Sequence, residues 1–360
     1  MHLLMSLPGL VLLSLLSACA DTRYYLQSLG GHVQMLQAAR PVEQWLADPQ
    51  LAPALKQRLL LAQRIRRFAV AELQLPDNAS YQRYADLRRR SVVWNVVAAP
   101  EFSLTLKTWC FPVAGCVGYR GYFTELEARE QARELRQGGL ESSVYGVPAY
   151  STLGWLNWAG GDPLLNTFIG YPEGELARMI FHELAHQVLY VKDDTLFNES
   201  FATAVERLGA QRWLSVHGSP ASRREYAEFD TRRRQFRSLT LATRQRLGRI
   251  YAAKETTARD ATALLNAKTL AMNDFRDDYV ALKNRWGGYP GYDAWVAGAN
   301  NAAFGAQAAY DDLVPVFEAL FAREGKDWQQ FYDAVRRLAH LPAAVRAQAL
   351  QEVSTEFQSD

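Results

Sequence analysis

The chain carries almost no net charge: 40 Lys and Arg are offset by 38 Asp and Glu, leaving +2 over 360 residues. A protein that captures phosphate backbones needs a cationic field that this composition does not supply, so nucleic acid is not an expected partner. Long apolar runs are equally scarce. The run near the start, Leu3 to Ala18, is short for a spanning helix, and no later stretch approaches the roughly 18 uninterrupted apolar residues such a helix needs. Internal repeats at solenoid periods and low-complexity linkers are also missing. What is present, 49% hydrophobic and 22% charged residues, is an ordinary globular composition. The length suits one large domain or two closely packed lobes.

A short apolar run followed by polar sequence reads as a secretion signal. Its end, Leu16-Ser17-Ala18-Cys19, resembles a bacterial lipobox, in which the cysteine is lipidated and becomes the mature N-terminus, although the residues before the run include His2 and neither Lys nor Arg. Residues 1–18 are therefore expected to be a lipoprotein signal peptide and Cys19 the lipid anchor to a membrane. Ala20, by analogy with lipoprotein sorting, favours the periplasmic face of the outer membrane. Export makes a disulfide between Cys110 and Cys116 expected, with Pro112 and Gly115 turning the chain back between them. A structural zinc site there would need a second Cys or His pair nearby.

Along the mature chain, residues 23 to about 75 show apolar positions at helical spacing. From Ser91 the sequence "SVVWNVVAAPEFSLTLKTW" turns rich in β-branched and aromatic residues, so a small sheet is expected. "TELEAREQARELRQGG" reads as a surface helix ended by glycines, and "LESSVYGVPAYSTLGW" as strand and turn. Beyond it the pattern is nearly all helical. Within Ser219 to Trp286 the basic residues are interleaved with acidic ones, which predicts a helical hairpin laced with local ion pairs, packed beside the site described next.

The chemistry concentrates in "FHELAHQVLYVKDDTLFNESFATAVE", which begins at Phe181. Pro172 with Glu173 and Glu175 marks a helix start, and a helix over about 172–190 is predicted. On it His182 and His186 lie one turn apart on one face, able to reach a single Zn²⁺ at about 2.0 to 2.1 Å. Glu183 sits about 100° round the helix, where it can act on water at the metal. Twelve residues separate His186 from Glu199, enough for a turn at "KDDT" and an antiparallel second helix. Asn198 is the predicted cap of that helix, with Glu199 in its first turn. Two His and one carboxylate make the ligand set of a catalytic rather than a structural zinc site. Glu206, two turns on, either orients a ligand imidazole or forms a surface salt bridge.

These residues resemble the HExxH zinc metallopeptidases with a Glu third ligand. Within them they resemble a group of bacterial lipoproteins described as predicted aminopeptidases, through "YYLQSLGGHVQML", "FPVAGCVGYRGYF", "YGVPAYSTLGW", "HELAH" and "NESFATAVE". The resemblance implies His182, His186 and Glu199 as zinc ligands and Glu183 as general base and acid, acting on a peptide substrate. The spacing from His186 to Glu199 is shorter than in the broad aminopeptidase class, and the Gly-x-Met-Glu-Asn strand that binds a substrate amine there has no counterpart in this chain. "SSVYGVPAYSTLGW" is a candidate edge strand for an extended peptide. Tyr289, Tyr292 and Tyr310 are candidate oxyanion donors. The expected fold is α+β, mainly helical and zincin-like. It is read as one metallopeptidase domain over 19–360: N-terminal helices 19–90, a sheet-containing part 91–170, a zinc-binding helix pair 171–216, and C-terminal helices 217–360. The expected activity is zinc-dependent peptide hydrolysis at the cell envelope; the alternative is an envelope lipoprotein that uses the same scaffold only to bind peptide or support an assembly.

Overall fold

In the computed structural model, the described residues are 7–111, 115–149, 151–154, 157–256, 261–307 and 313–358; at 7–21, 159, 253–256 and 354–358 only the backbone is described. Cys19 falls in a backbone-only stretch, and Pro112 and Tyr310 lie outside the described residues. The fold is α+β and mainly helical. The first half holds α1 (Leu7–Ala38), α2 (Val42–Leu46), α3 (Pro53–Ala71) and α4 (Glu125–Gln137). Among them run β1 (Arg40–Pro41), β2 (Arg83–Ala85), β3 (Val93–Pro100), β4 (Trp109–Phe111), β5 (Gly115–Val117), β6 (Arg120–Tyr122), β7 (Leu140–Val147) and β8 (Leu164–Leu165). The second half is helical, with α5 (Glu173–Ala185), α6 (Thr195–His217), α7 (Pro220–Thr256), α8 (Ala261–Arg285) and α9 (Asp293–Ala297). It closes with α10 (Asn301–Gln307), α11 (Val314–Arg323), α12 (Trp328–Ala339) and α13 (Ala343–Gln358).

The main sheet has the order β6-β3-β7 and is antiparallel throughout. Its central strand is apolar on both faces because both faces are covered: Val96 and Ala98 pack with α4, and Val97 and Ala99 pack with Ala302 of α10. At one edge lies β7, and Asn300 Nδ2 donates to Ser142 O at 3.0 Å near its start. Helix α4 begins where the Thr124 hydroxyl accepts the Glu127 N–H, and it stops at Gly138, followed by Gly139 at φ +81°. In the β4–β5 hairpin Cys110 stands directly opposite Cys116, and the two sulfurs are bonded.

The largest core is built around α5 and α6. Leu176, Ala177, Ile180, Phe181 and Leu184 on one face of α5 meet Phe197, Phe201, Ala204 and Val205 of α6, all fully buried. Each such large side chain contributes about 1.5 to 3 kcal/mol by leaving water. The helices approach closely where α6 has no side chain at all: a Cβ on Gly209 would stand 2.7 Å from Leu73 and 2.9 Å from Phe181. Gly209→Val is therefore expected to lower stability by about 1 to 3 kcal/mol through overpacking. Chemical denaturation measures it, and an unchanged midpoint would contradict this packing.

Two expected details are corrected. The predicted helix over 172–190 stops at Ala185, because Gln187 and Val188 tighten into i−3 hydrogen bonds and the Gln187 side chain is drawn off the axis to Asn78 and Ser80, at 2.7 and 3.1 Å. The cap of the next helix is Asp194, whose carboxylate accepts the Phe197 N–H at 3.0 Å, and not Asn198. Asn198 lies inside α6, where its amide brackets both backbone groups of Val191 at 2.8 and 2.7 Å and holds the connection shut. Glu199 consequently falls in the second turn of α6 rather than the first.

Candidate metal centre

Helices α5 and α6 run antiparallel, and their facing side chains form a ladder of pairs. Arg178 is salt-bridged to Glu206, His182 lies between Glu206 and Glu199, and His186 faces Glu199. At the centre, His182 Nε2 and His186 Nε2 are 3.2 Å apart, and Glu199 Oε2 lies 3.3 Å from the first and 3.7 Å from the second. Donors at about 2.0 to 2.2 Å around a tetrahedral ion stand about 3.3 Å from one another, so this triangle has the edges of one face of such a tetrahedron. The three side chains are 13%, 8% and 13% exposed, so water screens them little. Among the described residues they form the one His, Cys and carboxylate group close enough to hold a metal ion.

Glu206 stands on the far side of His182, with Oε2 3.1 Å from Nδ1, within hydrogen-bond distance although off the N–H line. A carboxylate at Nδ1 keeps the proton there and leaves Nε2 for a metal. Its own position is set by Arg178, one turn before His182. Without a metal these groups are strongly coupled. Burial raises the proton affinity of the Glu199 carboxyl, but the His186 and His182 imidazoles outweigh it and hold the group far below the usual carboxylate range. Burial likewise opposes the charge on His182, and hydrogen bonding to Glu199 and Glu206 more than reverses that, keeping the imidazole protonated well above its ordinary range. A metal cation held by these residues would take the place of that proton.

Glu183 shares with these residues a cavity of about 740 Å³. Burial pushes its carboxyl above the ordinary value, and the His182 and His186 charges pull it back only in part. The strand end and turn at Val147, Pro148, Ala149, Ser151 and Leu153 line the same cavity, which places the predicted edge-strand segment along it. That turn is pinned by Asp162, which is buried and accepts the Thr152 N–H on both oxygens, at 3.1 and 3.0 Å. Burial raises the Asp162 carboxyl to about 6 despite the Thr152 hydrogen bonds. From the other side comes α7: Arg233 is salt-bridged to Glu175 of α5 at 2.7 Å, and Phe236 and Arg237 complete that wall. The charged segment is a helical hairpin beside the site, with its own i,i+4 pairs Glu228–Arg232 and Asp230–Arg234.

Of the candidate tyrosines, Tyr292 lines the cavity but stacks on Phe236 at 4.0 Å, and burial with Tyr289 alongside pushes its hydroxyl up to about 12. Tyr289 is absent from the described lining and packs on Phe229 and under Arg232. Sequence reasoning missed Tyr119 and Tyr190, which line the cavity and whose hydroxyls are raised by burial and by the Glu199 charge. No local spacing connects them to the motif. Arg178 was also missed, although its place four residues before His182 on one helix face was readable.

Compared with known proteins, residues 23–350 match a family model described as "Putative aminopeptidase". No curated protein and no solved structure matches the chain.

Proposed function

Since the chain belongs to the family described as "Putative aminopeptidase", we propose that it is a zinc-dependent peptidase of the bacterial cell envelope, with a zincin-like centre, and that it removes N-terminal residues. The observation that carries the reading is the triangle of His182, His186 and Glu199 donors with tetrahedral edge lengths, opening into a cavity that also holds Glu183. His182, His186 and Glu199 would hold the ion, and when bound it supplies Lewis acidity to a carbonyl oxygen and to water. The remaining chemistry belongs to the chain. Glu183 takes the proton of the attacking water and returns it to the leaving amine, a role suited by a carboxyl whose proton affinity is raised by burial. Glu206, steered by Arg178, fixes the ring and tautomer of His182. Tyr119 and Tyr190, which line the cavity, join Tyr292 as candidate oxyanion donors, and Val147, Pro148 and Ala149, which line it too, are the candidate edge for an extended peptide. Incubation of the zinc-loaded protein with a mixed peptide library, read by mass spectrometry, tests the activity. Loss of single N-terminal residues supports it; internal cuts only would make the protein an endopeptidase.

The location follows from the leader and Cys19, with lipidation tethering the domain to the outer membrane. The Cys110–Cys116 bond fits an oxidising compartment. Among the described residues no helix is long and apolar enough to cross a membrane. Cys19→Ala is expected to move the protein from the membrane pellet to the soluble fraction with its thermal melt unchanged. Continued pelleting of that variant would remove the lipid anchor from the proposal.

A further inference from the structure

The outward face of α1 is apolar where a surface helix ordinarily carries charge. Tyr25, Leu26, Leu29 and Val33 are 46%, 65%, 63% and 41% exposed, so four of the thirteen large apolar side chains exposed among the described residues fall within nine consecutive positions. At about 100° per residue they share an arc of about 100° on the helix. Between Thr22 and Ala39 the sequence has no Lys, Asp or Glu and a single Arg, Arg23, which is turned toward Glu127 and Glu130 of α4 at 3.8 and 4.0 Å. The opposite face already has its partners: Tyr24 packs edge-on to Tyr122 at 5.5 Å, Gly31 lies against Phe123, and Met35 is buried in the core. The exposed stripe is therefore not the face that holds the helix to the domain. Its position along the chain says what covers it. Cys19 belongs to the same helix, and Cys19, Leu26 and Val33 are spaced by seven residues, close to two full turns, so the three positions lie along one line of α1. That line is only about 21 Å long.

We propose that the Tyr25, Leu26, Leu29 and Val33 face of α1 lies in the surface of the bilayer that holds the acyl chains of Cys19, with the helix parallel to the membrane and the domain in one fixed orientation on it. The proposal rests on the lipid-anchor reading of Cys19 and goes beyond it, because an anchor alone leaves the domain free to rotate. An apolar helix face of this kind sinks about 5 to 10 Å into the boundary between headgroups and acyl chains, and a tyrosine suits that depth with its apolar ring and polar tip. Four side chains do not replace the acyl chains; they orient what the anchor retains. Tyr24 and Ser28, on the other side of α1, line the cavity of the metal centre, which places that cavity about one helix diameter, roughly 10 Å, from lipid.

The experiment uses the full-length protein purified from membranes and reconstituted into vesicles of phosphatidylethanolamine and phosphatidylglycerol. With Cys110 and Cys116 bonded to each other, Leu29→Cys supplies a thiol for an environment-sensitive dye, and Val280→Cys on α8, 55% exposed, is the reference site. Flotation with the vesicles reads the anchor, and the dye reads the face. On vesicles the dye at position 29 is expected to shift its emission to the blue, to be quenched by spin-labelled lipids and to be shielded from aqueous iodide, while the dye at position 280 shows none of these. Leu26→Asp combined with Val33→Asp, with the dye again at position 29, is expected to float and melt as before but to lose the quenching by lipid. Protein that floats with position 29 as open to iodide as position 280 would overturn the proposal and leave the anchor standing; protein that does not float would overturn both. Shielding of position 29 in the Cys19→Ala protein without vesicles, together with a doubled mass in light scattering, would give the face to a second copy of the chain and overturn the proposal.

Discussion

Glu183→Gln is expected to reduce peptide hydrolysis by about 100-fold or more while the protein still purifies with zinc. The amide fills the same volume beside His182 and His186, and Glu183 is not part of the donor triangle, so metal content has no reason to fall. What disappears is the acceptor for the proton of the attacking water. Burial keeps the carboxyl's proton affinity above the ordinary value, which brings it nearer to the working pH of a base that must also give the proton back. The check is turnover on any cleaved peptide together with zinc measured by mass spectrometry. More than about a tenth of the original turnover would mean that another group moves the proton, since general-base assistance is typically worth at least about 100-fold. Loss of zinc along with activity would instead place Glu183 among the ligands.

Metal content should divide sharply between two glutamates that lie two turns apart on one helix. Glu199→Ala is expected to purify with little or no zinc, and Glu206→Ala to retain it with affinity or activity lower by about 10- to 100-fold. The geometry gives the reason: Glu199 Oε2 lies 3.3 and 3.7 Å from the two imidazole Nε2 atoms, whereas Glu206 reaches His182 only at Nδ1, the nitrogen turned away from the other donors. The second variant has a further consequence. Arg178 is 7% exposed and salt-bridged to Glu206, so removing that carboxylate leaves a buried cation unpaired. A loss of about 3 to 5 kcal/mol is expected from such an orphaned charge, visible as a lowered melting temperature. Glu206→Gln, which keeps the shape and one acceptor oxygen, should melt closer to the unaltered protein. Zinc retained in Glu199→Ala and lost in Glu206→Ala would reverse the assignment and require the two helices to be shifted by two turns.

Within one helix the sequence was enough. The interval from His182 to His186 is one helical turn, so their common face is a local consequence of backbone geometry and does not depend on the rest of the molecule. The same holds for the Cys110–Cys116 hairpin, where a short loop brings the sulfurs opposite each other, and for the helix ended by Gly138 and Gly139, where the chain's own residues supply the stop. The start of α6 is not legible in the sequence alone, because Asp194 and Asn198 are both good capping residues. Which of them capped was decided by Val191, whose backbone groups occupy the Asn198 amide. The tertiary structure alone determined how the two helices register, placing Glu199 at Nε2 and Glu206 at Nδ1 of the same ring; that offset is set by packing of Phe181, Phe197 and Phe201 and by the close approach at Gly209, which no periodicity encodes. It also brought Arg233 and Arg237 onto the cavity from α7 and put Asp162 behind the turn at Thr152, contacts between residues far apart in the chain. Helical spacing repeats every few residues and is written into neighbouring positions, whereas contacts between elements depend on the shape of the whole core.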